Sequence, residues 1–117
     1  MEKARSVEPL EEAIDEIIED LRGRHVYRMT HNLCDVFNGI QFQNLLLNLE
    51  RISDQCSDLA VYLLGRYDPA ISGNEHQYVH DLHHSGNEAY LAEFERNRQK
   101  YFEELDAIHP LGSEDLN

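Results

Sequence analysis

Apolar positions recur at helical spacing through most of the chain. Val7, Leu10, Ile14, Ile17 and Leu21 follow at steps of three and four, one face of a helix. Ser6 precedes the run, and Pro9 with acidic residues fills its first turn, which are helix-start signals. Arg22, Arg24 and Arg28 gather toward the far end, where cations suit the helix dipole. A first helix is expected over about 7–31, with Gly23 its weak point and the polar residues 1–6 frayed. After a short connection, Asp35 is a candidate N-cap for a second helix. There Leu45, Leu49, Ile52, Cys56, Leu59 and Leu63 alternate steps of four and three, a coiled-coil-like seam. Phe42, Leu46, Ala60, Leu64 and Tyr67 widen it, and Asp68-Pro69 should stop the helix near Tyr67. A loop with Pro69, Gly73 and Asn74 leads to a short helix over about 75–84. Ser85-Gly-Asn-Glu88 reads as a capping box for a third helix reaching about Leu105, marked by Leu91, Phe94, Tyr101, Phe102 and Leu105. Pro110, Gly112 and the acidic tail carry no element signal, and no stretch reads as a strand.

Amphipathic helices with short connections imply an all-α fold, an antiparallel three-helix bundle in one domain over residues 1–117, ordered over about 7–105 with flexible termini. The seam on the second helix makes that helix the expected core element. Its apolar stripe is wider than two neighbours cover, so a homodimer burying the remainder is expected.

Charge narrows the partners. The chain holds 10 basic and 23 acidic residues, a formal net charge of −13. Such a surface repels phosphate backbones and anionic lipid heads, which argues against nucleic acid and membrane surfaces and favours cations and basic partners. No run of about 18 apolar residues is present, so direct membrane insertion is not expected. Cys34 and Cys56 lie on separate elements without Cys-x-x-Cys spacing, and no secretory signal opens the sequence; reduced thiols in the cytoplasm are the simple reading. Cys56 falls in the apolar stripe, where it reads as packing.

Two carboxylate pairs stand at i, i+4: Glu50 with Asp54 on the second helix, and Glu11 with Asp15 on the flank of the first. At about 100° per residue, Glu50 and Asp54 lie away from the seam and so on the outer face of a bundle built around it. Pairs on neighbouring helices could converge on a cation bound through oxygen. The same spacing also describes a solvated acidic face, above all on the first helix, where acidic residues are crowded. The Glu-x-x-His pairs of di-iron bundles do not occur. His76, His80 and His83 or His84 share one side of the short helix and could bind zinc, nickel or copper, or form a polar exposed face. No phosphate loop, Ser/His/Asp set or activated nucleophile is visible.

Asn48-Leu-Glu-Arg-Ile-Ser-Asp54, followed by Gln-Cys-Ser-Asp-Leu-Ala60, resembles the PhoU-like domain in the version found at the cytosolic C-terminus of bacterial sodium/phosphate cotransporter family proteins. Val7-Glu-Pro-Leu-Glu-Glu-Ala-Ile-Asp15 resembles the first-helix motif of that repeat, and Tyr78 to Asn87 the tail of the transporter version. The resemblance implies a three-helix repeat with iron or zinc on surface Glu/Asp-x-x-x-Asp motifs, here Glu11, Asp15, Glu50 and Asp54. It also implies a non-catalytic regulatory role in phosphate uptake. The partner would be a transporter membrane domain or another PhoU-like repeat, since that family pairs two repeats into six helices. Gln55 and Asp58 depart from the histidine and asparagine frequent there. A helical dimerisation module without metal is the alternative, and a small metal-dependent enzyme the third reading.

Overall fold

The computed structural model describes residues 2–84 and 86–108. Five helices follow in order: α1 (Glu2–Arg5), α2 (Val7–Thr30), α3 (Val36–Tyr67), α4 (Glu75–His84) and α5 (Glu88–Ile108). The fold is all-α, and among the described residues no helix is long and apolar enough to cross a membrane.

Local signals set most boundaries. Pro9 sits in the first turn of α2, where its missing N–H deprives no helical bond. Helix α2 runs unbroken through Gly23. It ends in a Schellman turn: Asn32 takes positive φ, the Leu33 N–H bonds the Arg28 carbonyl, and the Asn32 N–H bonds that of Met29. Asp35 caps α3 as expected, with extended backbone and a side chain accepting from the Asn38 N–H at 2.8 Å. At the far end Asp68, ahead of Pro69, stops the helix.

Two local expectations are corrected. Residues 2–5 are a helical turn, not frayed chain: Ser6 keeps α-helical backbone and its hydroxyl donates to the Lys3 carbonyl instead of capping α2. Ala4 packs there on Val61, Leu64 and Ile71. Helix α5 begins at Glu88 with Asn87 as its cap, whose Oδ1 accepts from the Tyr90 N–H at 3.0 Å, two residues beyond the start a capping box at Ser85 requires. Ser85 itself, like the tail after Ile108, lies outside the described residues.

The largest difference concerns what α3 buries. Helices α3 and α5 each pack along α2 and share almost no contact with each other, so α2 is the central element and the three do not close around one core. Helix α3 runs antiparallel to α2, as Glu8 meets Ser57 and Arg22 meets Glu50. Its face toward the rest of the chain is Gly39, Leu46, Ser53, Ser57, Ala60, Val61, Leu64 and Gly65, mostly small residues. Leu45, Leu49, Ile52, Leu59 and Leu63 are 40–60% exposed, and Cys56 is exposed as well. The seam is therefore an outer strip, not the core, and Cys56 is not a packing residue within the chain. On the helical wheel the buried stripe lies about a quarter turn from the seam. Gly39 shows why small residues won the inner face: a Cβ there would stand 2.9 Å from Met29 Sδ and 3.1 Å from His25 Cε1.

Candidate metal centre

Two turns of α2 set one wall of the site. Glu8, Glu11 and Asp15 recur at steps of three and four, so they share one face of the helix, and that face turns toward α3. From α3 come Asp54, Ser57 and Asp58, and from α4 and its start Glu75, His76 and His83. Together these groups line a cleft of about 760 Å³ with six carboxylates and two imidazoles.

Of the four carboxylates singled out by spacing, the structure brings three together. One oxygen each of Glu11, Asp15 and Asp54 lies within 4.8 Å of the others. Glu50 is drawn away: it accepts from the Arg22 guanidinium on the next part of α2. The outer placement expected for Glu50 and Asp54 holds for Asp54, which is exposed, and not for Glu50. Both flank the α2–α3 contact on the side away from the seam, and Glu50 is half-buried there.

Glu11 is the centre of the cluster and only 7% exposed. Burial, and then the hydrogen bond and charge of Asp15, push its carboxyl up to about 9. Asp15 is raised as well, first by burial and then by the charges of Asp54, Glu50 and Glu8, although its bond to Glu11 works against that. A carboxylate cluster in this state holds a proton where a cation would otherwise sit. Among the described residues no lysine or arginine bridges to Glu11, Asp15 or Asp54.

A second group shares Glu11. Glu8 is buried, accepts from the Ser57 hydroxyl through Oε2, and has His83 Nε2 2.8 Å from Oε1. Ligand atoms of Glu8, Glu11 and His83 again lie within 4.8 Å of one another. Beside them Tyr90 of α5 donates to Glu12, and its ring sits 5.8 Å from that of His83. Burial and the Glu12 carboxylate raise the Tyr90 phenol, so it remains a donor. Sequence spacing gave no sign of the Glu8–His83 pair, because the partners are 75 positions apart.

The histidines do not form a site of their own. His83 turns to Glu8, His76 lines the cleft, and His80 stacks on His84 with ring centres 4.4 Å apart. Among the described residues no three histidines come within shared reach of an ion.

The two groups are oxygen-rich, one of three carboxylates and one of two carboxylates with an imidazole, donors that suit hard or borderline divalent cations. Comparisons with protein-family models, curated proteins and solved structures found no match.

Proposed function

We propose that this chain is a non-catalytic regulatory domain of the PhoU-like kind, serving a phosphate transport system and binding iron or zinc through Glu11, Asp15 and Asp54. The observation that carries the metal reading is the convergence of these three carboxylates from two helices around a buried Glu11 that, among the described residues, no lysine or arginine bridges. The metal replaces the proton that Glu11 holds, so binding releases protons. Glu8 and His83 offer a second position on the other side of Glu11. Glu50 joins only if Arg22 lets it go. The phosphate-transport part rests on the resemblance of residues 48–60 and 7–15 to that family, with a transporter membrane domain or another such repeat as partner.

Calorimetric titration of metal-free protein with Zn²⁺ and, without oxygen, Fe²⁺ tests the site. Micromolar or tighter binding is expected, weakened at least about 100-fold in Glu11→Gln with Asp54→Asn and little changed in Glu50→Gln. Equal binding by the double variant would overturn the assignment. Phosphate uptake by cells with and without the chain tests the regulatory role; identical uptake would refute it. A module that assembles without metal is the second reading, favoured by the exposed seam on α3.

A further inference from the structure

The acidic cleft extends well beyond the three carboxylates of the metal site. Helix α4 runs antiparallel to α3 along it: His83 meets Glu8 beside Ser57, and a Cβ on Gly65 would stand 3.6 Å from Glu75 Oε1. The lining therefore changes along α3. Asp54 and Asp58 stand at one end, Val61 and Val79 follow, and Glu75 closes the other. The order is acid, apolar, acid. From Asp54 to Gly65 it covers about 16 Å at the helical rise. Glu75 is fixed as an anion, because the backbone N–H groups of Glu75 itself and of Gly73 hold its carboxyl below the ordinary value. A cleft of about 760 Å³ is of the size that takes an organic ligand, and one divalent ion fills only a fraction of it.

We propose that this cleft binds a linear organic polycation, an aliphatic polyamine lying along the wall between α3 and α4. Glu11 supplies the first reason. It is only 7% exposed and faces the cleft, yet among the described residues its polar neighbours are other carboxyls, and no N–H or hydroxyl donates to it. A buried anion of this kind calls for a cation from outside the chain, and no lysine or arginine lines the cleft. The walls supply the second. A metal held by Glu11, Asp15 and Asp54 leaves Asp58 and Glu75 unanswered, and Val61 and Val79 between them are poor neighbours for a hydrated ion. Ammonium groups joined by methylenes match both kinds of surface, as lysine stems lie on apolar ground while their heads meet acids. Tyr62 lines the same wall, and an aromatic ring attracts ammonium groups. A cleft of one charge sign also focuses its field and concentrates polycations. Length supplies the third. At about 1.25 Å of reach per bond in an extended chain, about 16 Å needs about 13 bonds between the terminal nitrogens, the span of a tetraamine such as spermine. A four-carbon diamine reaches about 6 Å and meets one end only. The inference does not depend on metal binding, although metal and polyamine exclude each other at the Glu11 end.

Calorimetric titration of the full chain with spermine, with a chelator and about 150 mM salt, should show one spermine per chain at about 10 µM or tighter. Asp58→Asn with Glu75→Gln should weaken it at least about fivefold, and zinc binding should stay within about threefold. Glu103→Gln with Glu104→Gln removes the same charge from exposed positions on α5 and should change spermine affinity less than about twofold. Putrescine, too short to join the two ends, should bind at least about tenfold more weakly than spermine. So should acetylated tetralysine, which presents ammonium groups on a peptide. Uptake of several spermines per chain without saturation, equal loss in the two double variants, or putrescine or tetralysine as tight as spermine would each overturn the proposal. Spermine binding of the expected pattern in a chain that takes no zinc supports it and overturns the metal reading alone; zinc binding without spermine binding does the reverse.

Discussion

Replacing Glu11 by glutamine isolates the strained electrostatics of the acidic cleft. In the unfolded chain this carboxyl ionises near its ordinary value of 4.5; in the folded chain it keeps its proton to about 9. Between those limits the native state binds one proton more than the unfolded state. The associated stability is complete below about pH 4.5 and is lost as pH rises toward 9. The slope is about 1.4 kcal/mol per pH unit, so from pH 6 to pH 8 metal-free wild type should lose up to about 2.7 kcal/mol from this group. For a chain of this size that is a fall in Tm of about 10 °C. Glutamine imitates the protonated acid at every pH. Glu11→Gln should match wild type near pH 5 and exceed it increasingly above pH 6, with a residual slope from Asp15, which is also raised. Urea denaturation followed by circular dichroism, in the presence of a chelator, measures the difference. Saturating zinc should then close the gap, because it stabilises only the chain that binds it. Parallel wild-type and variant curves from pH 5 to 8 would show that Glu11 is not held protonated and refute the reasoning.

Three further substitutions probe the fold. Leu46→Ala should cost about 2–5 kcal/mol, whereas Leu49→Ala, in dilute protein where the chain is single, should cost less than about 1 kcal/mol; thermal melts of the two separate inner from outer face. Ser53 has a buried hydroxyl without a partner, so Ser53→Ala should stabilise by about 1 kcal/mol, read as a shift in denaturant midpoint. Asp35→Ala removes the cap from α3 and should cost about 1 kcal/mol, with faster amide exchange confined to the first turn of the helix.

Elements with a local cause were legible in the sequence. Asp35 caps its own helix, Pro9 opens one and Asp68-Pro69 closes another, all through bonds within a few residues. The helix spans over 7–31, 36–67 and 75–84 followed from periodicity, and the structure agrees within a residue or two. Which face of α3 turns inward was not legible. Periodicity shows that Leu45 to Leu63 form an apolar stripe, but it does not say whether this chain or another covers it. Close approach of α2 instead selected Gly39, Ser53 and Ser57, which read in sequence as the weaker face, beside Leu46, Ala60 and Leu64 from the flank of the stripe. The site was half legible for the same reason. Spacing found Glu11, Asp15 and Asp54, but the capture of Glu50 by Arg22 and the meeting of Glu8 with His83 depend on how two helices register across long separations.

The central position of α2 has a consequence for how the chain opens. Among its described side chains α5 buries only Tyr90. Much of the rest of its hold on α2 is polar: Arg98 with Glu16, Arg24 with Asp106, and the Tyr90 hydroxyl on Glu12. Exposed pairs of this kind weaken as salt screens them, while α3 keeps Leu46, Val61 and Leu64 buried. We expect α5 to open before the α2–α3 hairpin does. Amide hydrogen exchange should be fastest along α5 and increase there with ionic strength. The Glu8–His83 pair, reached by α4 just ahead of α5, would feel each such detachment, and through it so would the acidic cleft.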